Sequence, residues 1–470
     1  MNLTHKLHHP VFKVLNETAS ESEIKTFVVG GFVRDILLQR PNKDIDIVVE
    51  GNGIDFAKKV ASKLENVRGL SVFKNFGTAM IKLDDYELEF VGARKESYRS
   101  ESRKPIVENG TIAEDQERRD FTINAMSISL NSADFGELID PFDGQKDLDI
   151  GILKTPLHPD QTYSDDPLRM MRAIRFASQL HFKIDEQSFD SIVTNQERLS
   201  IVSAERISIE LNKIMESPQP SVGLELLYLT GILKQILPEV HALQGVDEID
   251  GQTHKDNFYH TIEVVDNTAE TSSNLWLRWA ALLHDIGKPP TKRFDQEIGW
   301  TFHSHEMRGA KMVPAIFKRL KLPMNDKMKY VKELVYLSSR PAALSKDIVS
   351  DSAVRRLLHD AGDYIDDLML LVEADITSKN KERVKRYKDN FKEVRKKLKE
   401  IEEKDQVRNF QPPVSGEEIM STFNLKPCKA IGDLKKAIKE AILDGEIPNE
   451  HEASFNFMIE KGVSLGLKKI

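Results

Sequence analysis

Residues 26–49 read TFVVGGFVRDILLQRPNKDIDIVV, and the fold turns on this stretch. Residues 26–29 have the β-branched and aromatic character of a strand, Gly30 and Gly31 permit a tight turn, and apolar residues in 32–38 recur at helical spacing. Such a turn sets bare backbone N–H groups at a helix start, where close approach and the helix dipole suit a phosphate. DIDIVV alternates as a strand does, so Asp44 and Asp46 project from one face. Two carboxylates that close repel unless a proton or a cation lies between them, and Mg2+ favours one or two carboxylates completed by substrate phosphates. An isolated Asp-x-Asp on a strand edge needs no metal, so its surroundings decide.

Working outward, short apolar runs at 79–83, 87–91 and 125–129 and one amphipathic stretch at 56–64 complete a small α/β unit. In 87–91, Glu87 and Glu89 alternate with Leu88 and Phe90, and Glu89 is taken as the third carboxylate. Three carboxylates holding two metals would serve an in-line displacement at an α-phosphate, one metal activating a hydroxyl and the other stabilising pyrophosphate. From Pro167 onward apolar residues recur at helical spacing nearly to the end. The expected class is α+β, a small N-terminal mixed sheet followed by a mainly helical remainder. Pro- and Gly-rich joints fall at 141–159, 217–220 and 410–416.

Composition narrows the class further. With 470 residues the chain exceeds one ordinary core and is multidomain. No run of about 18 apolar residues and no basic-plus-apolar leader occurs, so a cytoplasmic protein without a membrane span is expected. The single cysteine, Cys428, rules out an internal disulfide and a cysteine-based zinc site. A net charge of −8 excludes a globally basic binder of nucleic acid, although local patches suffice for an enzyme acting on one.

A second constellation, RRDFTINA at 118–125, gathers groups that hold a nucleotide: the guanidinium forks of Arg118 and Arg119, and the carboxylate and amide of Asp120 and Asn124. Then Asp165-Asp166-Pro167-Leu168-Arg169 opens a helix, with Pro167 near its first turn. Three positions apart, Asp166 and Arg169 are expected on one helical face, offering an acceptor and a donor fork to a flat partner. Cytosine and adenine present an amino donor beside a ring-nitrogen acceptor, whereas uracil and guanine reverse the order. A reversed pair would leave buried polar groups unmatched at roughly 1 to 3 kcal/mol each.

His260, His284-Asp285, His303, His305 and Asp375 form a third set. His284 and Asp285 are expected inside the apolar helix LRWAALLHDIG, where a buried charge needs a partner and a cation would supply one. Residues 379–399 hold eleven Lys or Arg against three acids, with Val384, Tyr387, Phe391, Val394 and Leu398 at alternating spacings of three and four. That is an amphipathic basic helix, a solvated face or a phosphate-contacting one, with Lys385, Lys388 and Arg395 as candidate RNA-binding positions.

In order over residues 26–211, the motifs GGFVRDILL with DIDIVV, ELEFVGAR, RRDFTINAM, DDPLRMMRAIRFA and VSAERISIEL resemble the class II tRNA nucleotidyltransferases, which include bacterial CCA-adding enzymes and poly(A) polymerases. The resemblance implies a catalytic head, then a helical neck whose Asp166 and Arg169 select CTP and ATP. Gly30, Gly31, Arg34, Arg118, Arg119, Asp120, Asn124, Arg172 and Arg175 would hold the nucleotide, Asp44, Asp46 and Glu89 would be catalytic with Mg2+ on Asp44 and Asp46, and Arg206 would assist. Gln39, where the family usually has Gly, and Asp165, where it has Glu, are departures.

Residues 254–380 resemble the HD phosphohydrolase superfamily, implying His260, His284, Asp285 and Asp375 as ligands of a divalent metal, with His305 a further contact. The segment from Pro412 resembles the tail of the same proteins, although Pro427-Cys428-Lys429 stands where Pro-Gly-Pro is usual. The expected division is a nucleotidyltransferase head at 1–147, a neck at 148–220, an HD-type helical domain at 221–380 and a helical tail contacting tRNA at 381–470. The expected activity is template-independent addition of C, C and A to the 3′ end of tRNA from CTP and ATP, with HD phosphohydrolase chemistry beside it. A-only addition or polyadenylation by the same site is the alternative among enzymes. An HD phosphohydrolase or RNA-binding protein with an inactive head is the alternative of another class.

Overall fold

The computed structural model describes residues 1–99, 102–246, 248–249, 252–253, 256–344, 350–378 and 380–470. These form two compact units, one of residues 1–217 with 222–235 and the other of 218–221 with 236–470.

The first unit is built on a seven-stranded mixed sheet. Its strands are β1 (Thr26–Val29), β2 (Asp44–Val49), β3 (Gly69–Phe73), β4 (Thr78–Lys82), β5 (Glu87–Gly92), β6 (Ser127–Ser129) and β7 (Leu138–Ile139), in the order β3-β4-β5-β2-β1-β6-β7. Only β2 and β5 run parallel, and their register sets Asp44 beside Glu87 and Asp46 beside Glu89. Helix α1 (Gly31–Leu37) follows β1 directly, and α2 (Gly53–Lys63) starts from Asn52, whose side chain accepts from the N–H groups of Ile54 and Asp55. Because side chains alternate, Phe90 points away from Glu89, and its ring lies 6.1 Å from that of Phe56 on α2. One face of β2 and β5 is thereby packed, and the acidic face is left to a cleft.

Each strand read from the sequence forms, but the one at 125–129 is confined to Ser127–Ser129, because Thr122–Asn124 is a 3-10 turn ending on Ala125. Strand β3 and the helix Pro10–Ser22 are additions. β3 is a mostly exposed edge strand, so it lacks the apolar alternation that marks a half-buried one. Among the helices that follow, α3 (Ile112–Glu117) begins in a capping box between Thr111 and Glu114, and α4 (Leu168–Leu180) packs against α5 (Ala204–Met215).

The second unit is helical. Helices α6 (Asn257–Thr271), α7 (Leu275–Leu283), α8 (His305–Arg319) and α9 (Ile365–Ala374) surround a core that includes the fully buried Phe258, Trp279 and Phe317. The basic segment is α10 (Lys381–Asp405); Phe391, Val394, Leu398 and Ile401 are buried along it, which is the alternation of three and four seen in the sequence. Lys379, the first residue of that segment in the sequence, lies outside the described residues. Among the described residues no helix is long and apolar enough to cross a membrane.

Replacing Phe90 with alanine would empty the space between β5 and α2. We expect a loss of about 3–5 kcal/mol in the urea-unfolding free energy of the first unit.

Candidate active site and metal centre

A cavity of about 970 Å³ opens on the acidic face of β2 and β5. It brings together Gly30, Gly31 and Arg34 from the first turn, Asp44 and Asp46 from β2, Glu89 from β5, Arg119, Asp120 and Asn124, and Arg172 and Arg175 from α4. Glu87 also borders it, but its carboxylate accepts from Lys82 Nζ at 2.6 Å, which leaves Glu89 the better partner for Asp46. Burial pushes the Asp46 carboxyl up to about 6, against the pull of Arg119 and with the help of Glu89 and Asp44. A carboxylate raised in this way by burial and by its like-charged neighbours is one that a cation would relieve, so the donor set fits a divalent metal.

Around this acidic floor the walls are basic. Arg34 donates to Asp35 and, through Nη1, to Asn124 Oδ1 at 2.9 Å. Asp120 is buried and accepts from Phe121 N, Asn124 Nδ2 and Arg172 Nε; burial opposes its charge, yet Arg172 and Asn124 hold its carboxyl down to about 2. Arg175 pairs with the buried Glu210 at 3.0 Å. Three guanidinium groups, those of Arg34, Arg172 and Arg175, lie 5.1, 5.5 and 4.1 Å from the ring centre of Phe176. Phe176, Lys43, Gln179 and Lys213 line the cavity and were missed in the sequence. The signal for Phe176 was its place beside Arg175 and four residues after Arg172, where an aromatic ring and two cations meet on one helical flank.

Gly30 is constrained twice. Its φ is +71°, a left-handed value costly for other residues, and a Cβ there would lie 2.8 Å from Arg119 Nη1. The positive φ is what calls for glycine, and a side chain there would also push the end of Arg119 aside.

Arg118, Asp166 and Arg169 do not line the cavity. The expectation that Asp166 shares a helical face with Arg169 is corrected: Asp166 is extended, with φ −135° and ψ 98°, and closes the helix Pro159–Asp165. Proline at 167 disfavours a helical residue before it, so α4 starts only at Leu168. Asp166 caps that helix, accepting from Leu168 N at 3.2 Å, and also accepts from Arg206 Nη2 at 3.3 Å. Arg169 donates to the backbone carbonyls of Arg118 and Thr162.

In the second unit, His260, His284 and Asp285 gather with Asp375. His284 and Asp285 are not inside the apolar helix as expected: α7 ends at Leu283 and His284 is its C-cap, so the pair stands on the turn that follows. Gly287 lets that turn approach α8, since a Cβ there would meet the carbonyl oxygen of His305 at 1.9 Å. His284 Nδ1 is 2.7 Å from Ala281 O and His305 Nδ1 is 2.9 Å from Phe302 O, while His260 Nδ1 meets Thr377 Oγ1 at 2.8 Å. Each ring thus turns Nε2 toward the carboxylates: His260 lies 2.8 Å from Asp375, His284 3.3 Å from Asp285 and His305 3.6 Å from Asp285. This is the outer-shell arrangement of a metal-binding histidine. His284 Nε2 is buried between two carboxylates, 3.3 Å from Asp285 and 3.6 Å from Asp375. Burial works against charge on His284, yet Asp285 and Asp375 push its pKa up to about 10, and the field that draws a proton draws a cation. His303 is exposed and outside the cluster.

On α10 the candidate RNA contacts differ from one another. Arg395 is committed to Glu373 at 2.6 Å, whereas Lys385 and Lys388 are exposed.

A testable consequence follows from Asp46. A carboxyl with a pKa near 6 is mostly protonated at pH 5 and ionised at pH 8, and a cation competes with that proton. We expect Mg2+ to raise the unfolding temperature of the first unit at pH 8 and to raise it much less at pH 5, with D46N abolishing the difference; differential scanning calorimetry checks this.

Comparison with known proteins bears on this geometry. Residues 26–154 match the poly A polymerase head domain, 181–244 a "Probable RNA and SrmB-binding site of polymerase A", and 257–350 the HD domain. The chain is 45% identical to an A-adding tRNA nucleotidyltransferase of Aquifex aeolicus over 35% of this chain, which spans only 20% of that protein. It is 32% identical to the A-adding tRNA nucleotidyltransferase of Deinococcus radiodurans over 73% of this chain and 78% of the relative. A multifunctional CCA protein of Neisseria meningitidis is 34% identical over 67% of this chain and 72% of its own length. Among solved structures, a CCA-adding enzyme with ATP superposes with a TM-score of 0.63 at 25% identity, covering 97% of this chain and 95% of that one. The Thermotoga maritima CCA-adding enzyme, solved with tRNA, shares the fold at a TM-score of 0.62 and 23% identity, covering 98% and 99%. From the ordered motifs, the acidic cleft and relatives matched over more than 70% of their own length, the chain belongs to the tRNA nucleotidyltransferase and poly(A) polymerase family.

Proposed function

We propose that this chain completes the 3′ end of tRNA, adding C, C and A from CTP and ATP without a nucleic-acid template. The carrying observation is the single cavity in which Asp44, Asp46 and Glu89 face Arg119, Arg172 and Arg175 across the Gly30–Gly31 turn. Bound Mg2+ would supply an activated 3′ hydroxyl and neutralise the departing pyrophosphate. The chain's own residues do the rest. Asp44, Asp46 and Glu89 hold the cations. Arg119, Arg172 and Arg175 bind the triphosphate, and the amide of Asn124, fixed by Asp120, meets the sugar. A bond forms from the RNA 3′ oxygen to the α-phosphorus as the bond from that phosphorus to pyrophosphate breaks.

Base choice falls to Asp166 and Arg169, which turn from their present partners, Arg206 and the carbonyls of Arg118 and Thr162, to an incoming base edge. The division into head, neck, HD domain and tail at 147, 220 and 380 belongs to the same reading, with Lys385 and Lys388 contacting the RNA backbone in the cytoplasm.

Transcripts of tRNA lacking CCA, incubated with all four nucleotides and sequenced at their ends, test this. We expect CCA ends from the native chain, a loss of at least ~10³-fold in rate for D44A/D46A, and misincorporated U or G for R169A. A-only addition is the second reading, the activity named for two of the relatives, and product ending in A without C under CTP and ATP would establish it.

For the second unit we propose a metal-dependent phosphohydrolase, carried by the convergence of His260, His284 and Asp285 with Asp375. Metal-supplemented protein should release phosphate from phosphorylated RNA ends or nucleotides, and H284A/D285A should not; equal hydrolysis by the two defeats the assignment.

A further inference from the structure

Asp115 lies one turn before the Arg118-Arg119 pair, on α3, and its side chain is fully buried. Its two oxygens are divided between the two arginines. Oδ1 accepts from Arg118 Nε at 3.0 Å and Oδ2 accepts from Arg119 Nε at 3.1 Å and Nη2 at 2.9 Å. A buried carboxylate is costly unless charge and hydrogen bonds satisfy it, and here two guanidinium forks do so at once. The spacing is i to i+3 and i to i+4, so one helical turn delivers both arginines to one acid.

The consequence lies at the opposite edge of Arg119. With Nε and Nη2 tied to Asp115, the Nη1 edge is the one that borders the cavity, beside Gly30 and 3.4 Å from Asn124 O. A rival carboxylate, Asp46, borders the same cavity, and a Cβ at Gly30 would lie 2.8 Å from Arg119 Nη1 and 3.6 Å from Asp46 Oδ2, so acid and guanidinium crowd the same turn. Freed from Asp115, the guanidinium would settle on Asp46, removing at one stroke a phosphate-binding edge and a metal-holding acid. Segment 118–120 also ties this clamp to α4, since Arg169 donates to Arg118 O and Arg172 to Asp120.

We propose that Asp115 is a positioning residue, which holds Arg119 with its Nη1 edge toward the triphosphate of an incoming nucleotide and away from Asp46. This rests on the nucleotide-addition reading above. Asparagine at 115 would keep the shape but lose the charge and leave one acceptor oxygen for two guanidinium groups, setting an amide donor against one of them and loosening the clamp on Arg119.

The test measures the equilibrium Kd of a non-hydrolysable CTP analogue, KM and kcat for CTP, and the unfolding temperature, on the full chain. For D115N we expect Kd and KM to rise at least ~10-fold, and kcat at saturating CTP to fall as well as Asp46 is drawn onto the freed guanidinium. In an R119K background, where the fork is already lost, D115N should change Kd by less than ~2-fold. Should D115N fail to fold, D115E carries the test, since it keeps the charge and displaces the carboxylate by one methylene; a rise in Kd of ~3-fold or more is expected. A Kd unchanged by these variants, with only the unfolding temperature or kcat lowered, overturns the proposal and leaves Asp115 a structural brace. An equal effect of D115N with and without R119K overturns it too. Wild-type protein that binds CTP and extends tRNA while the variants match it defeats this inference alone, whereas wild-type protein that does neither defeats the underlying reading as well.

Discussion

Asp44 and Asp46 share one face of a strand whose other face is packed, and the structure of the first unit is organised around keeping those like charges together. Ile45, Ile47 and Phe90 are fully buried on the opposite side, so β2 cannot rotate to separate its acids without exposing core. Parallel pairing with β5 adds Glu89 to the same side. Repulsion among the three is offset by a wall of arginines, and each of those cations is in turn held by an acid of its own: Arg119 by Asp115, Arg172 by Asp120, Arg175 by Glu210. Acid and base thus alternate around the cavity.

The second unit solves a related problem with different chemistry. Its negative charge comes from Asp285 and Asp375 and its nitrogen donors from imidazole rings, each oriented by a hydrogen bond at the far nitrogen. Such a set suits a transition metal better than the oxygen-only floor of the first cavity, which suits a hard cation.

Much of this could be read from the sequence where the signal was periodic. The period of two in DIDIVV and ELEFV gave the acidic face, and the period of 3.5 in residues 384–398 gave the buried stripe of α10. Element ends were harder. Proline at 167 was taken as an early helix residue, yet its constraint on the preceding residue puts Asp166 outside the helix, and the apolar run before His284 hid that α7 stops at Leu283. Asp115 was invisible for another reason. A polar residue between Glu114 and Gln116 looks exposed, and only the tertiary structure reveals that it is buried beneath two arginines.

The two side chains assigned to read the base are occupied in this structure, Asp166 as a helix cap and partner of Arg206, Arg169 on two carbonyl oxygens. On the base-reading role proposed for them, these contacts would have to open before either side chain met a base, so recognition of one base over another would draw on the energy of a fuller assembly with a primer seated. Discrimination of that kind appears in turnover and stays faint in the affinity of any nucleotide taken alone.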